Sequence, residues 1–127
     1  MTDNPIEIDI EKIARSDLIA SDRVEGTTVY NRKGEKLGRI SNFMVDKQSG
    51  QVRYAILSFG GFLGMGNDHY PLPWSMLDYD KEQGGYVVEL DKAVLDNAPH
   101  HDAEARPIHD EHYGRSVYDY YGLTYPW

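Results

Sequence analysis

The chain has 127 residues and no cysteine, and its 21 Asp and Glu outnumber its 13 Lys and Arg for a formal net charge of -8. That length holds one compact core with tails and excludes two ordinary domains. The lack of thiols excludes disulfides and thiolate metal ligands and suits a reducing cytoplasm, and no apolar run approaches the ~20 residues that cross a bilayer, so a cytoplasmic protein without direct membrane insertion is expected.

Charge is distributed unevenly. Residues 1–25 carry seven acids and three bases, residues 26–90 seven of each, and residues 91–127 again seven and three. A neutral middle is thus flanked by two acidic ends. Nucleic-acid binders need clustered Lys and Arg to displace counterions from phosphates. Only Arg32, Lys33, Lys36 and Arg39 approach such a cluster, and they read better as the solvated edge of a hairpin, so no nucleic-acid partner is expected.

At the N-terminus two periods compete. Asn4, Pro5 and Glu7 suit a helix start with Ile6, Ile10 and Ile13 on one face, while Ile6, Ile8 and Ile10 also alternate as in a strand. A short helix or extended arm over 1–20 is expected. From Thr27 the pattern changes to short β-branched and aromatic runs between turn residues, as in a small antiparallel barrel or sandwich.

Thr27 to Tyr30 reads as a first strand, closed by a turn in which Gly34 takes a positive φ. Leu37 to Asp46 is the second. Leu37, Ile40 and Phe43 differ in parity and share one face only if the strand bulges near Gly38 or Asn42. A turn ending at Gly50 leads to a third strand, Gln51 to Phe59, with Val52, Tyr54 and Ile56 on one face and Ala55, Leu57 and Phe59 on the other; apolar on both sides, it should be central and covered twice.

After the glycine-rich loop come short strands over Tyr70 to Leu72, Leu77 to Tyr79 and Tyr86 to Leu90, with a turn from Pro73 to Met76. Trp74, behind Pro73, is expected to plug the core. Asp91 is placed as the cap of a short helix through Leu95. The remainder, 96–127, is an acidic tail, yet it holds five tyrosines and a tryptophan between Tyr113 and Trp127. Disordered tails are poor in aromatics, so this end is expected to dock.

Sites are few. His109 and His112, spaced to share a face of a helical turn, are weak metal candidates beside Asp110 and Glu111. The loop Gly60-Gly61-Phe62-Leu63-Gly64-Met65-Gly66 lacks the Lys-Ser or Lys-Thr of a phosphate loop. It points instead to Phe62, Leu63 and Met65 as an interface, with Tyr118, Tyr121 and Trp127 as tail residues available to meet it. Gly34, Gly38, Gly50, Gly60, Gly61, Pro73 and Trp74 are assigned structural roles. No acid, base and nucleophile converge in spacing, so no enzyme activity and no cofactor are expected.

Several of these stretches together resemble the PRC-barrel domains, named for the cytoplasmic domain of the photosynthetic reaction centre H chain. They are Gly26 with Val29-Tyr30, Gly34-Glu35-Lys36-Leu37-Gly38, Val45-Asp46 with Ser49-Gly50, Tyr54 to Gly64, and Pro71-Leu72-Pro73-Trp74-Ser75 ending at Tyr79-Asp80. The resemblance spans about Ala20 to Asp91. It implies an all-β domain over 21–95, a small, strongly bent antiparallel barrel with short helical or irregular arms and no catalytic residues of its own. Relatives serve in the reaction centre H chain, packed on membrane subunits, and in ribosome-maturation factors, beside a second domain. Neither the H chain's anchor nor that second domain is expected in these residues, so a non-enzymatic protein-interaction module, most simply a homodimer, is the nearer expectation. The alternatives are an H-chain-like role at a membrane electron-transfer complex, a ribosome- or RNA-associated factor, and a metal or small-ligand binder acting through the tail histidines.

Overall fold

The computed structural model describes residues 17–59, 68–102 and 109–126. A short helix, α1 (Ser21–Val24), precedes strands β1 (Thr28–Asn31), β2 (Lys36–Val45), β3 (Val52–Phe59) and β4 (Asp68–Pro73). A 3-10 turn over Trp74–Met76 leads into β5 (Asp78–Asp80) and β6 (Gly85–Val88), followed by α2 (Lys92–Asp96), β7 (His101–Asp102) and α3 (Glu111–Tyr120). The described strands form one sheet in the order β5-β6-β1-β2-β3-β4-β7.

The all-β expectation is met in its coarse form, with two corrections. Strands β5 and β7 end the sheet without pairing to each other, so hydrogen bonding among the described residues does not close it into a barrel. Nor is it wholly antiparallel, because β6 returns alongside β1 in parallel, Val29 opposite Tyr86 and Asn31 opposite Val88. The expected N-terminal arm lies mostly outside the described residues, and α1 occupies a stretch that had been read as a boundary.

The bulges anticipated in β2 are present. Pairing with β1 slips between Val29 and Tyr30, opposite Gly38 and Lys36, and pairing with β3 slips between Ile40 and Asn42. Each extra residue resets the alternation, so that Leu37 and Ile40 are buried and Phe43 packs on the same core. At Gly38 the backbones of β2 and β3 approach so closely that a Cβ would stand 2.2 Å from the Ser58 carbonyl oxygen. The turn after β1 is built by Asn31, whose Oδ1 accepts the Lys33 and Glu35 amides at 3.0 and 2.9 Å, with Gly34 at φ +84° completing the reversal.

Strand β3 is central, between β2 and β4, and buried on both faces. Ala55 and Leu57 enter the main core with Val29, Ile40, Leu72 and Leu95. Tyr54 and Ile56 face the other way into a second, smaller cluster completed by Tyr118 of α3. The aromatic C-terminal end therefore docks on the back of the sheet, the layer that a two-faced strand requires.

Trp74 corrects the expectation of a core plug. It is partly buried at the rim of the main core, its ring 6.2 Å from Phe43 and 5.5 Å from Tyr86. Pro73 in front of it is the fully buried residue. Trp74→Ala should cost about 2 kcal/mol, below the ~3–5 kcal/mol of a fully enclosed aromatic. Urea denaturation measures the difference, and a loss above that range would place the ring deeper than described here.

Candidate functional site

Two surfaces stand out. The first is a groove of about 770 Å3 where the segment before α1 passes the end of the sheet. Its lining includes Leu18, Ile19, Trp74, Leu77, Tyr79 and Tyr86. Leu18 is 86% exposed, Ile19 41% and Tyr79 42%, so three large apolar side chains face solvent together. Scattered apolar residues are ordinary on a surface, whereas a contiguous group marks a contact. Strand β5 beside it has a neighbour on one side only among the described strands. The rim carries both signs of charge, with Asp17 3.6 Å from Lys81 and Arg23 nearby in the lining.

The second is the seat of α3. Asp110 caps this helix, its carboxylate accepting the Tyr113 amide at 2.9 Å. Gly114 allows the Tyr125 ring to lie against the helix, since a Cβ there would fall 2.5 Å from it. The Tyr118 hydroxyl donates to the Arg53 carbonyl at 2.8 Å, and the Tyr120 hydroxyl donates to that of Val94. At the root of the helix the Tyr54 hydroxyl is hydrogen-bonded to His109 Nδ1. Burial, and secondarily the neighbouring His101, holds the His109 imidazole below its usual range. Burial likewise pushes the Tyr54 phenol far above its ordinary value, which removes it as a nucleophile or general base at neutral pH.

These placements redistribute the expected site residues. Tyr118 is only 3% exposed and belongs to the chain's own second cluster, while Tyr121 packs against the main core; neither is a free interface residue. Phe62, Leu63, Met65, Gly60, Gly61 and Trp127 lie outside the described residues. His109 precedes α3 with its Nδ1 engaged, and His112 is exposed on the helix, so the pair does not converge. Among the described residues no group of three or more His, Asp or Glu is placed to hold a metal ion. Nor is any described helix long and apolar enough to cross a membrane.

Sequence reasoning missed the groove and the Tyr54–His109 contact. Leu18 and Ile19 had been assigned to an arm with no surface to meet, and Tyr54 and His109 are 55 residues apart.

Residues 16–95 match the PRC-barrel domain. No curated protein matches the sequence. Among solved structures, the chain is similar to a candidate 16S ribosomal RNA processing protein, RimM, from Pseudomonas aeruginosa, at 19% identity and a TM-score of 0.40. That similarity covers 62% of this chain and 49% of the other, so the chain spans about half of that relative's length.

Proposed function

The chain belongs to the PRC-barrel family, and we propose that it acts as a non-enzymatic protein-interaction module that associates with a second copy of itself. The observation that carries this reading is the groove of Leu18, Ile19, Trp74 and Tyr79 beside the one-sided strand β5. Two-fold dimers are the commonest assembly of soluble chains, and a two-fold contact must be self-complementary. A rim bearing Asp17, Arg23 and Lys81 supports that requirement, since an acid of one copy can meet a base of the other. The glycine-rich loop with Phe62, Leu63 and Met65 would supply a second apolar surface of the same character.

The absence of catalysis is part of the proposal. Its support is that Tyr54 and His109, hydrogen-bonded to one another, are held in states that oppose proton transfer. Charge speaks against a nucleic-acid partner as well: Arg32 lies 2.9 Å from Asp78 and Lys33 3.9 Å from Asp91, in a chain of net charge -8.

The test uses paired variants. Leu18→Asp with Tyr79→Ser should move the light-scattering mass toward the monomer and leave the β-rich circular dichroism unchanged. Phe62→Ser with Leu63→Asp asks the same of the loop. A mass unmoved by the first pair would contradict the groove as the contact.

A further inference from the structure

Outside the groove lies a set of histidines whose rings follow one another across the sheet edge to the root of α3. His69 on β4 and His101 on β7 are cross-strand partners, with ring centroids 5.6 Å apart. His101 is in turn 6.4 Å from His109, which touches Tyr113 of the helix at 5.0 Å and Tyr54 of β3 at 5.4 Å. The Nε2 atom of His101 is buried and has no hydrogen-bond partner among the described residues. The sheet edge and the segment leading into the helix therefore bring imidazoles into one partly buried aromatic patch.

We propose that His109 makes α3 a proton-released latch, in which protonation of its ring undocks residues 109–126 from strands β2 and β3 and uncovers the face formed by Met44, Tyr54 and Ile56. Most of the helix packs in a cluster distinct from the main core, through Tyr54, Ile56 and Met44; the contact of Tyr121 with the main core and the hydrogen bond of the Tyr120 hydroxyl to the Val94 carbonyl must part with it. In the tautomer whose Nδ1 accepts the Tyr54 hydroxyl, protonation leaves the ring with donors only, and that bond must reverse. The ring also stands just before the cap of α3, at the helix end where positive charge is disfavoured.

The charged and titratable neighbours decide the direction. From β7 His101, and behind it His69, can add like charge. Strands β2 and β3 present Asp46 paired with Arg53, together with Lys47 and the Tyr54 phenol. The helix side presents Asp110, whose carboxylate is engaged by the Tyr113 amide, with the Tyr113 and Tyr125 phenols. The carboxylates of Asp46 and Asp110 are the groups that could favour the imidazolium; burial first, and His101 second, hold the docked ring below its ordinary value of 6.5. Because the docked pKa is the lower one, docking is at full strength above about pH 6.5. It weakens as pH falls from there toward the docked pKa, with no further loss below it.

Hydrogen exchange of the full chain, corrected for intrinsic rates, reads this directly between about pH 7.5 and about pH 5.5. Amides of 111–120 should lose protection severalfold at the lower pH while those of β3 keep theirs, and in His109→Gln the helix should lose none. Helix protection unchanged by pH, an equal loss in His109→Gln, or a parallel loss throughout β3 would each overturn the proposal. Should His109→Gln fail to fold, the ring protons of His109 in the wild-type chain serve instead. An NMR titration midpoint below that of an unfolded histidine supports the latch, and one at or above it refutes it. The latch does not depend on self-association, and the monomeric variants described above should retain it.

Discussion

Gly38→Ala should be the most damaging single-methyl change in the sheet. The added carbon would meet the Ser58 carbonyl oxygen at 2.2 Å and Leu57 Cδ1 at 3.2 Å. The side chain could turn aside, but Ser58 is backbone of the strand to which β2 is paired through Arg39. Relief requires β2 and β3 to separate at the centre of the sheet, where the main core is anchored. We expect a loss of about 3 kcal/mol or more, beyond ordinary overpacking. Gly34→Ala provides the comparison: nothing lies within 4 Å of its Cβ, and its φ of +84° accounts for a cost of ~1–2 kcal/mol by itself. Urea midpoints that rank the two variants equally would contradict the close approach at Gly38.

Tyr118→Ala carries the second large effect. Its ring fills the cluster over Tyr54 and Ile56, and its hydroxyl satisfies the Arg53 carbonyl. Truncation should cost about 3–5 kcal/mol if α3 and the sheet unfold together. Tyr118→Phe keeps the ring and should lose only ~1 kcal/mol, the net worth of the hydrogen bond. Truncation that leaves the denaturation midpoint unchanged would mean that the helix does not dock in solution.

How far the sequence foretold this molecule depends on the range of each interaction. The two-faced run Tyr54-Ala55-Ile56-Leu57 displayed the central strand, and the parity conflict among Leu37, Ile40 and Phe43 displayed the bulges, because both are local patterns. The parallel return of β6 beside β1 was hidden. Nothing in Tyr86-Val87-Val88 distinguishes a parallel partner from the antiparallel one that short turns suggest. Aromatic content alone indicated that the tail docks. The helix itself went unread, although Asp110 as a cap, Tyr113, Val117, Tyr118 and Tyr121 on one stripe and Gly122 as a stop were there to find it.

Trp74 shows the opposite limit. A tryptophan between a proline and short strands reads as core, yet where the chain turns at a sheet corner its ring is held at the rim, where it lines the groove. The same geometry left Leu18, Ile19 and Tyr79 exposed. That consequence depends on how α1, the 3-10 turn and β5 meet in space, and no local pattern encodes it.

Sedimentation equilibrium of the unmodified chain from low to high micromolar concentration tests self-association most directly. The account predicts a concentration-dependent rise from the 14.5 kDa of one chain toward twice that mass. A single species of one-chain mass throughout that range would contradict it.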